Sequence, residues 1–246
     1  MILRLVIADG RQTPAVAESV ELSADGTLTG WRSVSPAGVG WFTGKLPAPE
    51  LTALQALIEA VTPTSPPHPV PRPGAAEEVL ELPATGPVSI AGLTPASAPA
   101  PTPASAPADA DSLDGGVDGA GAWARLAEAS RQLIERLTDF PRAAVAVDVA
   151  SPTTARLVHR GTDPLRLDLG TVAVRVTAWR GYYEPAGDWT GPVTGPAEVE
   201  AGPGWTYDLP IERAPDDTTV HLAVNFAVLS GSTKVPVQAR FTPVPK

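Results

Sequence analysis

Thr219-Val220-His221-Leu222-Ala223-Val224-Asn225-Phe226-Ala227-Val228-Leu229 carries Val220, Leu222, Val224, Phe226 and Val228 at every second position. A period of two puts those five side chains on one face of a β-strand and turns His221 to the other. The run Val172-Ala173-Val174-Arg175-Val176-Thr177-Ala178-Trp179 alternates in the same way. Around these two, Ala144 to Val149, Thr154 to His159, Pro164 to Leu169, Trp205 to Ile211 and Val235 to Phe241 read as further strands, while Gly181 to Gly204 reads as a long loop. Six or seven strands with turn signals over about 105 residues predict an immunoglobulin- or fibronectin-like β-sandwich over 141–246.

Upstream the pattern is mixed. Ile2 to Ile7 is a short apolar run closed by Asp9-Gly10, and Val16 to Leu22, Leu28 to Val34 and Val39 to Thr43 follow at turn spacing, so an antiparallel meander is expected. Ala24-Asp25-Gly26-Thr27 supplies a hairpin turn between two of them. From Pro47 the period lengthens: Leu51, Leu54, Leu57, Ile58 and Val61 fall on one helical face, predicting a helix over about 48–61 with its prolines confined to the start and Glu50 beside the positive end of its dipole. A weaker hairpin, Glu77 to Ile90, comes next. A second amphipathic helix is expected over about 121–138, with Trp123, Leu126, Ala127, Leu133, Ile134 and Leu137 inward and Arg125, Glu128, Arg131, Gln132, Glu135 and Arg136 on a solvated face.

Between hairpin and second helix, Thr94 to Ala108 repeats TPASAPA twice around Pro101 and runs into Asp109, Asp111, Asp114 and Asp118. Proline fixes φ and removes the N–H, so this stretch predicts an extended, unpacked insertion at about 94–118. The aspartates lack the glycine and closing glutamate that a calcium loop requires. The expected organisation is therefore an α+β module over 1–140, an antiparallel sheet with two helices, followed by the sandwich over 141–246.

Composition narrows the chemistry. The chain has 246 residues, no cysteine and a net charge of −9, which removes disulfides, thiolate nucleophiles and thiolate metal sites. Residues 1–121 hold 5 basic and 13 acidic side chains, while 122–246 hold 13 and 14. Neither half offers the basic face that phosphates demand, so nucleic acid is not an expected partner. No apolar run is long enough to span a bilayer and the first residues do not read as a leader, so a cytoplasmic protein without membrane contact is expected. His68, His159 and His221 have no ligand-spaced neighbours, and no nucleophile, phosphate-loop or dinucleotide motif occurs. Neither a catalytic centre nor a cofactor or metal is expected.

Two aromatic groups are candidates for binding. Trp179, Arg180, Tyr182, Tyr183, Glu184 and Trp189 crowd one loop, a mixture that suits an interface anchor or a glycan-stacking platform. Trp179 and one tyrosine also fit as aromatics closing the core. Trp31 and Trp41 sit in facing strands, either as core under the first helix or with one of them on the uncovered face.

Residues 1–138 resemble the emfourin-like inhibitors of thermolysin-type metalloproteases. The resemblance lies in Leu46-Pro47-x-x-Glu50 leading to Leu51, Leu54, Leu57-Ile58-x-Ala60, in Pro71-x-Pro73-Gly74-Ala75-Ala76, and in Leu133-Ile134-x-x-Leu137. It implies an α+β fold and protease inhibition through the first module. The leading expectation from the residues is a non-catalytic, two-module adaptor or structural protein that binds another protein. Inhibition and carbohydrate binding through residues 179–189 are the alternatives.

Overall fold

The computed structural model describes residues 1–68, 74–94, 119–181 and 184–243. The chain is mostly β, built from two sheets and two helices that lie mid-chain. Strands β1 (Leu3–Asp9), β2 (Val16–Leu22), β3 (Thr27–Arg32), β4 (Val34–Ser35) and β5 (Val39–Lys45) precede helix α1 (Ala48–Val61). The hairpin β6 (Glu77–Leu82) and β7 (Gly86–Ser89) leads to α2 (Gly119–Arg136). Then come β8 (Pro141–Ser151), β9 (Thr154–Gly161), β10 (Leu165–Arg180), β11 (Glu184–Val193), β12 (Val199–Ala201), β13 (Thr206–Pro210), β14 (Thr219–Ser230) and β15 (Thr233–Phe241). The tandem TPASAPA repeat from its second residue onward and its aspartates, like Pro71 and Pro73 of the inhibitor-like pattern, lie outside the described residues.

The larger sheet has nine strands in the order β13-β9-β8-β5-β3-β2-β1-β6-β7, every neighbour antiparallel. It runs across residue 140, because β5 pairs with β8 through Val39 opposite Val145 and Trp41 opposite Ala143. The smaller sheet has the order β11-β10-β14-β15-β4, with β12 also on β10. Its last pair is parallel: Gln238 and Ala239 of β15 stand beside Val34 and Ser35. Residues 33–38 thus leave one sheet, touch the other and return.

Alternation along shared strands divides the buried side chains into two groups. Leu3, Leu5, Val20, Leu22, Leu28, Phe42, Leu80 and Ala144 face the helices, which contribute Leu54, Val61, Trp123, Leu126, Leu133 and Ile134. On the opposite face, Val39, Val145, Val147, Ala155 and Leu157 meet Leu167, Val174, Val176, Leu222, Val224, Phe226 and Val237 of the smaller sheet. Helices therefore cover one half of the long sheet from one side, and the second sheet covers the other half from the other side. Val220, Leu222, Val224, Phe226 and Val228 do share the inward face that their spacing predicts.

Three local expectations need correction. Residues 165–180 form one strand rather than two, its irregularity confined to the Asp168 to Ala173 interval against β14. The expected loop 181–204 contains β12 and also β11, whose Pro185, Gly187, Gly191 and Pro192 mask the strand pattern. Arg131, placed by spacing on a solvated face, is instead a clamp: it donates to Glu78 at 2.9 Å and to the carbonyls of Leu93 (2.8 Å) and Ile90 (3.1 Å), tying α2 to the β6–β7 hairpin.

Candidate functional site

The β10–β11 hairpin carries the loop candidates. Val172, Val174, Val176 and Ala178 are buried, so Ala173, Arg175, Thr177 and Trp179 project from the outer face. Trp179 is half-buried there, beside Thr219 of β14. Trp189 stands opposite Val176 and packs on the inter-sheet core. The structure thus sends these two tryptophans to opposite faces of one hairpin rather than onto one platform. Arg180 and Glu184 are exposed and lie 3.7 Å apart, an ion pair of little energetic weight. Tyr182 and Tyr183 lie outside the described residues.

Trp189 is held by its own strand. Its ring lies over Gly187, and a Cβ at that position would overlap it. Gly187→Ala is therefore expected to displace the ring, shift tryptophan emission and lower unfolding stability by about 1–3 kcal/mol, checked by fluorescence-monitored urea unfolding. An unchanged spectrum would mean that the ring does not need the bare glycine.

Part of the outer face of the smaller sheet is polar. Arg175 donates to Asp188 at 2.9 Å, and this hydrogen bond holds the Asp188 carboxyl below the usual carboxylate range. Gln238 donates to Asn225 at 2.8 Å and accepts from Arg240 at 2.6 Å. Between these pairs lies a groove of about 420 Å³ reached by Thr13 from the β1–β2 connection. At the far end of β10 the Lys234 ammonium pairs with Asp168 and, through their hydrogen bond, lowers that carboxyl while its own value rises.

The histidines do not converge. His159 is buried with Nε2 at 2.9 Å from the Asp163 carbonyl, His221 is half-buried on β14, and His68 is exposed. Among the described residues no three His, Asp or Glu side chains are grouped to hold a metal ion. Among the described residues no helix is long and apolar enough to cross a membrane.

The second aromatic pair has a clearer geometry. Phe42 and Gly30 point to the helices, so Trp41 and Trp31 point to the opposite face, where they are register partners. Their ring centroids are 4.8 Å apart with planes at 56°. Trp31 leans on the edge of the inter-sheet core, whereas Trp41 is 47% exposed. Sequence places both in facing strands but not on a face; their relation to Phe42 decides it.

The rest of that face follows from register. One row runs Val79, Val6, Ser19, Trp31, Trp41 across β6, β1, β2, β3 and β5. At strand spacing this row is about 19 Å wide. The next row is Glu81, Arg4, Glu21, Thr29, Thr43. Arg4 lies 3.2 Å from each of its two glutamates, leaving this row net negative. Comparison with protein-family models and with curated proteins finds no match to this chain.

Proposed function

We propose that this chain is a non-catalytic interaction protein and that it docks another protein on the uncovered face of its nine-stranded sheet. The observation that carries the reading is Trp41: a large aromatic, braced by Trp31, standing 47% exposed in a mostly apolar row next to a row of net negative charge. Tryptophans held rigidly beside a polar rim are the usual anchors of protein interfaces. The flat row, about 19 Å wide, suits a broad partner surface better than a single sugar ring. We read the layer formed by the second sheet as an immunoglobulin-like sandwich, a reading supported by two largely antiparallel sheets closing on one apolar interior. It then serves as a scaffold that borrows β4 and β5 from the first half.

The test is affinity capture from a native lysate with wild type beside Trp41→Ser. Because Trp41 is half in solvent, the substitution is expected to change unfolding free energy by less than about 1 kcal/mol while abolishing retention of the partner. A partner kept equally by both proteins, or none kept by wild type, would reject this face as the docking surface.

A further inference from the structure

Two sheets that pack face to face need not end together. Here β13 closes one end of the larger sheet and β11 one end of the smaller, and both edges stand on the same side of the inter-sheet core. Between them lies an open cleft. One part, about 190 Å³, is bounded by Trp189 to Val193 of β11 and by Pro210, with Val174 and Val176 as its floor. It adjoins a second part of about 340 Å³ beside the β8–β9 turn, and the two share Val176, Ile211 and Glu212.

Three features mark this cleft as a place for another chain. Val149, which lines it, is 37% exposed, and apart from Met1 only Trp41 joins it among the large exposed apolar side chains described. A Cβ built on Gly191, whose bare position faces the cleft, meets nothing within 4 Å, so there is free space against the edge. The backbone of β11 pairs with β10 on one side only, which leaves its outer N–H and C=O groups to solvent between Pro185 and Pro192.

Charge selects the occupant. Arg213 is 3.1 Å from Asp216 and is spent there, whereas Glu212 and Asp217 have no hydrogen bond or ion pair among the described residues. The rim therefore presents two unneutralised carboxylates above valine and isoleucine walls, on a chain of net charge −9. An extended strand offers side chains alternately to two sides, so a segment alternating aliphatic and basic residues meets both demands at once.

We infer that this cleft receives an extended peptide segment of a partner protein, added to the β11 edge with aliphatic side chains in the cleft and Lys or Arg toward Glu212 and Asp217. The surface is separate from the Trp41 face and does not depend on it. Two docking surfaces make the chain an adaptor rather than a single-site binder.

The experiment titrates the full chain with the blocked peptide Lys-Val-Lys-Val-Lys-Val-Lys, following tryptophan emission and heat. The comparators are Glu-Val-Glu-Val-Glu-Val-Glu and the basic peptide N-methylated at alternate residues. Saturable binding of the basic peptide is expected, weakened roughly tenfold or more by N-methylation and by the isosteric pair Glu212→Gln with Asp217→Asn. Asparagine suits the left-handed backbone at Asp217, where φ is 64°, so this variant keeps the fold. Gly191→Met starts from a Cβ position with nothing within 4 Å, extends a flexible side chain into the cleft and is expected to abolish binding in a folded protein. Equal binding of the acidic peptide, indifference to these variants, or no binding by about 1 mM overturns the inference. So does a dimer in sedimentation that Gly191→Met dissolves, because the occupant is then a second copy.

Discussion

Arg32→Ala is expected to destabilise the fold by about 3–5 kcal/mol at neutral pH, because it strands a buried carboxylate. The Arg32 side chain is only 6% exposed and lies 3.0 Å from Glu18, itself 10% exposed, on the helix-covered face of the long sheet. Arg32 also reaches Glu135 at 3.3 Å and the Ile134 carbonyl at 3.4 Å, near the negative end of α2. Burial pushes the Glu18 carboxyl above its ordinary value of 4.5; the Arg32 charge and hydrogen bond only partly oppose this, with a small further rise from Glu135 and a small fall from Arg240. A carboxyl raised in the folded state binds more protons there than in the unfolded chain, so stability falls as pH rises through the interval above 4.5.

Removing Arg32 raises that carboxyl further and widens the interval. The deficit of Arg32→Ala is therefore larger at pH 7 than at pH 5. Urea unfolding at the two pH values measures it. Arg32→Met combined with Glu18→Gln should recover part of the loss by removing both charges together. A deficit below about 1 kcal/mol, or one independent of pH, would show that the pair is not acting as a buried charge pair.

Trp123→Ala is expected to cost a similar 3–5 kcal/mol, through a cavity rather than a charge. Trp123 is fully buried in the first turns of α2 and donates its indole N–H to Thr64 Oγ1 at 2.9 Å, just beyond the end of α1. It is the largest fully buried side chain among those described, and it ties α2 to the chain just beyond α1, while Arg136 and Glu50, 3.2 Å apart, join the two helices directly. Trp123→Phe keeps much of the volume and loses the hydrogen bond. Thr64 still donates to the Val61 carbonyl at 2.8 Å, so Phe should cost only about 1–2 kcal/mol more than volume alone predicts. Thermal unfolding followed by circular dichroism separates the two variants; equal effects from Ala and Phe would place the energy in the hydrogen bond instead.

What the sequence makes legible here is periodicity. The alternation of β14 and the helical spacing of 48–61 and of Trp123 to Leu137 name the inward residues correctly, because in each of those elements the large apolar side chains recur at the period of the element. Long-range pairing is not legible: nothing in Val39 to Lys45 announces that its other edge will meet β8 about 100 residues later. The edge strand β11 is read least well, since its prolines and glycines look like a loop until the hydrogen-bonded partner is seen. The candidate site divides in the same way. The aromatic loop is conspicuous in sequence, yet Trp189 is turned into the core by the pairing of β11, while Trp41 is left in the open by the direction of Phe42 beside it. Arg131 reads as a surface charge because sequence cannot show which carbonyls and carboxylates a folded chain brings to it.

The short parallel contact of Val34 and Ser35 with Gln238 and Ala239 bears on how the protein is made. Synthesis delivers residues 34 and 35 some 200 residues before their neighbours on β15, and the strands of the second sheet arrive only in that interval. The first half can assemble its helices on β1 to β6 as it emerges, but the loop between β3 and β5 stays undocked until β15 has been made. Completion of the fold is thus a late, non-local closure, slow in proportion to the separation it spans. A chaperone that shields exposed β edges would act on the nascent chain during this wait.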